Sequence, residues 1–474
     1  MKHLVLHAVS AGTRGNACAR PSLSISDPLA ASSRAKGRAM NARCVWMHAV
    51  LAVTLALSSQ PWLKGQSAAP PAAAPPGPSV RIDLEQALQM AIARNHLLMA
   101  QRNTIQQSQA QEITANLRPN PVVTVDSLLL PIFSPNQFGT GYLTANTEYD
   151  AGVAYTIERG HKRQARLHAA QDTTRVTRTQ VADAERNLKF NVAQQFIGVL
   201  LAQSTLDFAH QDLKSFQNTV DISQAQYKAG DISEGDFLKI KLQLLQFQTD
   251  VSSAEVALVQ ARAGLRQLVG YDSLPENFEA SGELAYKPVT LSLMDLQAEA
   301  LRLRPDLMAA QQGVTAAQSQ YGLARADGKR DLTLQVNYSR YALANDASFI
   351  GSMELPIFDR NQGEIARTHF AITQAEELQS AASDQVMTDV RNAYEAYQTS
   401  AEVAQLYASG YLKAAQDSRD ISEYAYKRGA ASLLDFLDAE RSYRATQLAY
   451  RQALAAFMVS VEQVRQAVGT RNLP

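Results

Sequence analysis

Cysteine is nearly missing from this 474-residue chain: the two present, Cys18 and Cys44, both fall in the first 44 residues. Beyond them no disulfide can form, whatever the compartment. Neither sign of charge dominates, with 45 basic and 45 acidic residues. That balance excludes the basic footprint of a nucleic-acid binder or of a polybasic surface for anionic lipid. No run of about 18 apolar residues occurs, so no spanning helix is expected. Catalytic signatures are absent as well: no nucleophile elbow, phosphate loop or zinc spacing is found. His161 and His168 stand seven apart without a third ligand, which reads as two solvated helix residues and not a metal site. Neither enzyme chemistry nor a cofactor is expected.

The one apolar stretch is Val45–Leu57, preceded by Arg43 and followed by Ser58, Ser59 and Gln60. Its length and flanks are those of a secretory signal. Met40 is then a plausible start, and residues 1–66 are upstream sequence and signal. Cys44 precedes the apolar run, where a lipid-anchor cysteine would follow it, so no lipid anchor is expected. Residues 67–82 are rich in proline and alanine and read as a linker. An exported chain without a spanning helix keeps one route into a membrane, the β-barrel, because only helices and closed barrels satisfy every backbone group in lipid.

What is present is a duplication. "YKAGDISEGDFLKIKLQLLQ" at Tyr227–Gln246 returns 199 residues later as "YKRGAASLLDFLDAERSYRA" at Tyr426–Ala445. "RQLVG" at Arg266–Gly270 is answered by "RQAVG" at Arg465–Gly469, and "IERGHKRQAR" from Ile157 aligns with "IFDRNQGEIAR" from Ile357. The helix opening near Leu84 pairs with one near Leu296. Solenoid units run to about 20–50 residues, so this is a doubled half-protein. The expected division is a first repeat over 83–270, a connector over 271–294 and a second repeat over 295–470.

Each half reads helix, two strands, long helix, turn, helix. Leu84–Leu117 and Leu296–Ala326 are apolar at helical spacing. Glu148–Ile157 and Leu332–Tyr338 alternate apolar and polar residues, the pattern of a barrel strand between lipid and water. Val122–Leu130 and Phe349–Leu355 are weaker strands, and the loop Pro131–Asn146 should face outward. No proline occurs between Gln137 and Leu274 or between Ile357 and Leu473. A helix from about His161 to Tyr227 would run to roughly 100 Å. Gly230 and Gly429 end one helix, and Ser233 and Ser432 cap the next, giving one long antiparallel hairpin per half.

Four strands cannot close a barrel, and an open edge is not tolerated in lipid. The chain must therefore share a barrel with copies of itself. Eight strands leave room for side chains only, whereas twelve leave a channel. The duplicated order of helix, two strands and long hairpin resembles the TolC family of outer-membrane efflux proteins over nearly all of Leu84–Gly469. The turn pattern carries the resemblance: Tyr426-Lys427-Arg428-Gly429, then Ser432 and Asp435-Phe436-Leu437. "LPIFDRNQGEIAR" (Leu355–Arg367) and its counterpart are most similar to the cobalt–zinc–cadmium branch of that family.

The resemblance implies a mainly α fold with a membrane β-barrel portion. A homotrimer would share a 12-stranded barrel, its helical hairpins forming an α-barrel in the periplasm. It implies a passive exit duct working with a periplasmic membrane-fusion adaptor and an inner-membrane RND-type pump, set in outer-membrane lipid, with heavy-metal cations as the favoured cargo. Asp435 and Asp438, three apart on one helical face, match the family's acidic ring at the periplasmic aperture. Asp236 matches Asp435 in the first half, where Lys239 replaces the second acid. The hairpin tips, Lys228, Gly230 and Ser233 with Lys427, Arg428, Gly429 and Ser432, would meet the adaptor. Two alternatives stay open: the same duct serving drugs, small molecules or type I protein secretion, and, in a different class, a periplasmic coiled-coil adaptor or scaffold.

Overall fold

Two-residue strand β1 (Arg81–Ile82) opens the fold in the computed structural model, which describes residues 80–128, 132–341 and 344–473. The expected signal segment, the start at Met40 and the linker as far as residue 79 lie outside the described residues. The first half continues through α1 (Leu84–Arg94), α2 (His96–Ala115), β2 (Val122–Leu128), a short α3 (Thr140–Ala145) and β3 (Glu148–Ile157). Helices α4 (Lys162–Ala229) and α5 (Glu234–Val269) complete it. A connector carrying β4 (Glu279–Ala280) leads to α6 (Leu293–Leu303), α7 (Pro305–Asp327), β5 (Leu332–Tyr341) and β6 (Ala344–Met353). The chain closes with α8 (Gln362–Leu406), α9 (Leu412–Lys427) and α10 (Leu433–Val468).

Local chemistry sets the breaks. Asp83 caps α1 by accepting the Gln86 N–H at 2.7 Å, while the Gln86 side chain accepts the Asp83 N–H at 3.1 Å, a reciprocal box. The single helix expected over Leu84–Leu117 is interrupted at Asn95, whose extended backbone and side chain cap α2 through the Leu98 N–H at 2.9 Å. Its counterpart is interrupted at Arg304, held extended by Pro305 as a residue before proline must be. Both opening helices span 11 residues, so Leu84 corresponds to Leu293 and not to Leu296. Helix α4 is 68 residues long, about 100 Å at 1.5 Å per residue. His161 lies outside that helix, as its N-terminal flanking residue at φ 60°, and Asn361 repeats this before α8 at φ 62°. Both strand-to-helix corners thus use a left-handed residue of a type that tolerates it.

The second hairpin departs from the uninterrupted helix that its lack of proline suggests. Between α8 and α9 the residues Tyr407–Tyr411 form a π-turn, with Gly410 at φ 137°. An extra residue inserted in a helical ladder kinks it, and glycine is the residue without a Cβ to oppose that φ.

The four longer strands form one antiparallel sheet in the order β2-β3-β5-β6, with the two halves meeting at β3 and β5. Strand β6 starts five residues earlier and stops two earlier than the expected Phe349–Leu355. Register puts Val123, Val153, Val336 and Phe349 in one row, all exposed. Three residues along, and so on the opposite face, Asp126, Asp150, Ser339 and Asp346 form a row, so one sheet face is apolar and the other polar. The helical portion has a buried cluster in each half, around Leu88, Phe196 and Leu265 in the first and Leu296, Val390 and Phe457 in the second. The connector serves both: Phe278 is buried in the first cluster, and Tyr286 packs on Phe457 of the second. The Tyr397 hydroxyl donates to the Val289 carbonyl and accepts its N–H, each at 2.7 Å.

Candidate functional site

The two hairpin tips are built alike. At the first, the Asp231 N–H donates to the Gln226 carbonyl at 2.9 Å and the Gly230 N–H to that of Tyr227 at 3.0 Å. At the second, Ala430 donates to Ala425 and Gly429 to Tyr426, both at 2.9 Å. These are Schellman closures, which need a left-handed residue; Gly230 stands at φ 85° and Gly429 at φ 71°. The serine hydroxyls then cap the descending helices. Ser233 Oγ accepts the Asp236 N–H at 3.1 Å, and Ser432 Oγ accepts the Asp435 N–H at 3.2 Å. Both glycines and both serines thus have local structural work independent of any partner.

The same is true of two of the three singled-out acids. Asp236 accepts from Ser233 Oγ at 2.9 Å and from Lys239 Nζ at 3.2 Å. Asp435 accepts from Ser432 Oγ at 2.7 Å and from the Ser432 N–H at 3.2 Å, completing a capping box. The serine hydrogen bonds, and for Asp236 also Lys239, hold both carboxyls below the ordinary aspartate value, so both are charged at neutral pH. Asp438, one turn on, is exposed and has no hydrogen bond or ion pair among the described residues. Helix capping accounts for Asp236 and Asp435 and leaves Asp438 as the acid without a structural task. Replacing Ser432 with alanine should destabilise the second tip by about 1 kcal/mol. Faster amide exchange confined to the first turn of α10 would show it; unchanged exchange there would contradict the cap.

Among the basic tip residues, Lys427 pairs with Glu423 at 2.6 Å and Arg428 lies 4.9 Å over the Tyr424 ring. Lys228 is exposed and has no such partner. Behind the tips, one apolar joint takes residues from both hairpins: Phe216, Ile240 and Phe247 from the first, and Tyr426, Leu433 and Phe436 from the second. Periodicity identifies these positions as buried but does not say that the two hairpins share them.

Two groupings escaped the sequence reading. The acidic row Asp126–Asp150–Asp346 is visible only once the strand register is known. A buried ionic cluster, Asp212 with Glu440 and Arg444, joins residues more than 200 apart that carry no motif. Among the described residues, no group of three or more His, Cys, Asp or Glu side chains is disposed to hold a metal ion, and no helix is long and apolar enough to cross a membrane.

A sheet with one apolar and one polar face, carried on two long hairpins from duplicated halves, is the protomer fold of TolC-type channels. The outer membrane efflux protein family model matches residues 87–271 and 296–470; the chain belongs to that family and is an outer-membrane protein. Among its relatives, the cobalt-zinc-cadmium resistance protein CzcC of Cupriavidus metallidurans is 26% identical over 393 residues, 82% of this chain and 90% of that one. The cation efflux system protein CusC of Escherichia coli is 27% identical over 274 residues, 54% of this chain and 58% of that one. Of solved structures, a crystal structure of CusC superposes with a TM-score of 0.69 at 21% identity, covering 82% of this chain and 92% of that one. The Campylobacter jejuni CmeC outer membrane channel gives 0.70 at 16% identity, covering 81% and 85%. The family match and the four-stranded sheet set aside the adaptor alternative.

Proposed function

We propose that this protein is the passive exit duct of a three-part efflux system whose cargo is heavy-metal cations. The observation that carries the reading is the open sheet: its apolar face is exposed, its polar face bears the acidic row, and edges β2 and β6 are unpaired among the described residues. In lipid such edges must be closed. Three copies, each supplying four strands, make a twelve-stranded barrel, wide enough for a channel. The apolar face meets outer-membrane lipid and the polar face lines water. The repeats, 83–270 and 295–470 about the connector 271–294, place six hairpins in an α-barrel on the periplasmic side.

Asp438, together with Asp435 and Asp236, forms the acidic aperture, where rings of carboxylates favour cations. A membrane-fusion adaptor contacts the tips at Lys228, Gly230, Ser233, Lys427, Arg428, Gly429 and Ser432. Energy comes from an inner-membrane pump of the RND type, since a duct of this kind catalyses no reaction. The cation cargo is supported by the CzcC and CusC relatives and by the acids on the lumen side.

Neutralising the aperture tests the reading. In planar bilayers the Asp435→Asn, Asp438→Asn double variant should lose most of its cation preference, by about threefold or more in permeability ratio, since six charges leave a narrow mouth. Asp438→Asn alone should account for the larger part. Unchanged selectivity would remove the aperture from these residues. Growth of a deletion strain on zinc, cobalt, cadmium and copper, set against dyes and antibiotics, tests the cargo: sensitisation to organic compounds alone would keep the duct and overturn the metal assignment.

A further inference from the structure

Behind the aromatic joint, the two hairpins are fastened by charges that no turn or cap requires. Asp212 on α4 and Glu440 on α10 are 5% and 6% exposed, and the charge of Asp212 acts on the ionisation of Glu440. Arg444, one turn along α10, brings Nε to 2.6 Å from Asp212 Oδ2. Its Nη2 reaches Asp250 on α5, and its guanidinium lies 4.1 Å over the Phe247 ring. From α9, Arg419 pairs with Asp420 at 2.8 Å and stacks 4.5 Å over Tyr443. The groups facing Glu440 are therefore Asp212 and, through Arg444, Asp250 from the first hairpin. From the second they are Arg419, Tyr443 and Arg444.

The charge count explains why one of these acids keeps a proton. Asp212 and Glu440 are the buried acids and Arg444 pairs with Asp212 between them, whereas Asp250 and Asp420, the other partners of Arg444 and Arg419, are a third and a half exposed to water. Burial, and then the adjacent Asp212, push the Glu440 pKa up to about 7. Burial also raises Asp212, against the pull of Arg444. With a proton on Glu440, Asp212 is left as the one buried carboxylate beside Arg444. Nor does the duplication impose this arrangement. The first-hairpin counterparts of Glu440 and Arg444 are Lys241 and Leu245, both exposed.

We propose that the Asp212–Glu440 carboxyl pair, braced by Arg444, is a proton-operated clasp that binds the second hairpin to the first. As a regulator of the aperture, it rests on the duct reading. When the hairpins part, Glu440 returns to water and to its ordinary value of 4.5. Its pKa is raised in the clasped state, so the proton's contribution is complete below 4.5 and lost as pH rises through about 7. Above that, a buried extra negative charge works against the clasp, and the mouth should widen.

The test uses full-length protein in lipid, with Cys18 and Cys44 replaced by serine. Spin labels go on the exposed tip positions through Asp231→Cys and Ala430→Cys. The tip-to-tip distance should lengthen between about pH 5 and pH 8.5, with a midpoint near 7, as the Glu440 pKa requires. Glu440→Gln, which keeps the shape and a donor but cannot ionise, should hold the short distance throughout, while the exposed His210 on α4 stays in place. A wild-type distance that does not change with pH, or the same transition in Glu440→Gln, would overturn the clasp. Conductance recorded on the same samples separates the two ideas: tips that respond without any conductance would sink the duct and leave the clasp standing. Conductance with immobile tips would do the reverse.

Discussion

Replacing Arg304 with methionine should destabilise the protein by about 3 kcal/mol, the lower end of the cost of breaking a buried ion pair from one side. Arg304 is 3% exposed at the break between α6 and α7. It donates to both oxygens of Asp306, at 3.0 and 2.5 Å, to Asp389 on α8 at 2.8 Å and to the Ala467 carbonyl of α10 at 3.4 Å. One guanidinium thus ties three helices of the second half. The two aspartates are about a third exposed, so water can partly rehydrate them when Arg304 is gone, which argues for the lower figure. Burial alone would raise the Asp306 pKa, but hydrogen bonds and charge from Arg304 outweigh it and the carboxyl ends below its ordinary 3.8. A depressed acid contributes stability above its unfolded value and loses it as pH falls through the folded one. Urea unfolding followed by circular dichroism should therefore show the full gap between wild type and Arg304→Met at pH 7. The gap should narrow below 3.8. An equal gap at both would mean that Arg304 acts by packing alone.

Phe436→Ala should cost about 3–5 kcal/mol, as other buried phenylalanine truncations do, and its damage should be local. Phe436 is 1% exposed and stacks between Tyr426 at 5.5 Å and Phe216 at 6.5 Å, the latter on the other hairpin. Its loss opens a cavity in the apolar joint behind the tips, which takes residues from both hairpins. The duplication supplies the control: Phe237 stacks on Tyr227 at 5.3 Å but contributes nothing to that joint. Phe237→Ala should lose only the pair itself, about 1 kcal/mol. Limited proteolysis at both tips should rise sharply in Phe436→Ala and little in Phe237→Ala. Equal sensitivity would show that the hairpins do not depend on each other there.

The duplicated order of elements was legible because each local signal occurs twice. Alternation located β3 and β5, and the absence of proline together with Gly230 and Gly429 located the hairpins. Signals that depend on one residue's competition with its neighbours were less readable. Asn95 looks like an ordinary helical position until its side chain caps α2, and Gly410 gives no sign in sequence that the ladder beside it has gained a residue. The tip serines cap their helices as expected, and among the described residues Asp438 and Lys228 are left as the tip residues without a local role.

By itself, the sequence determined what depends on short-range physics: strand alternation, helix length, the Schellman glycines with their serine caps, and the family to which those features belong. Only the tertiary structure decided which faces meet. Strand register, a long-range property, lined up Asp126, Asp150 and Asp346 in one row. Packing of α4 and α5 against α9 and α10 buried Asp212 with Glu440 and Arg444. No local preference encodes that cluster, because each of these residues alone reads as a solvated charge. Their chemistry changes when water is removed and the charges must be balanced against one another.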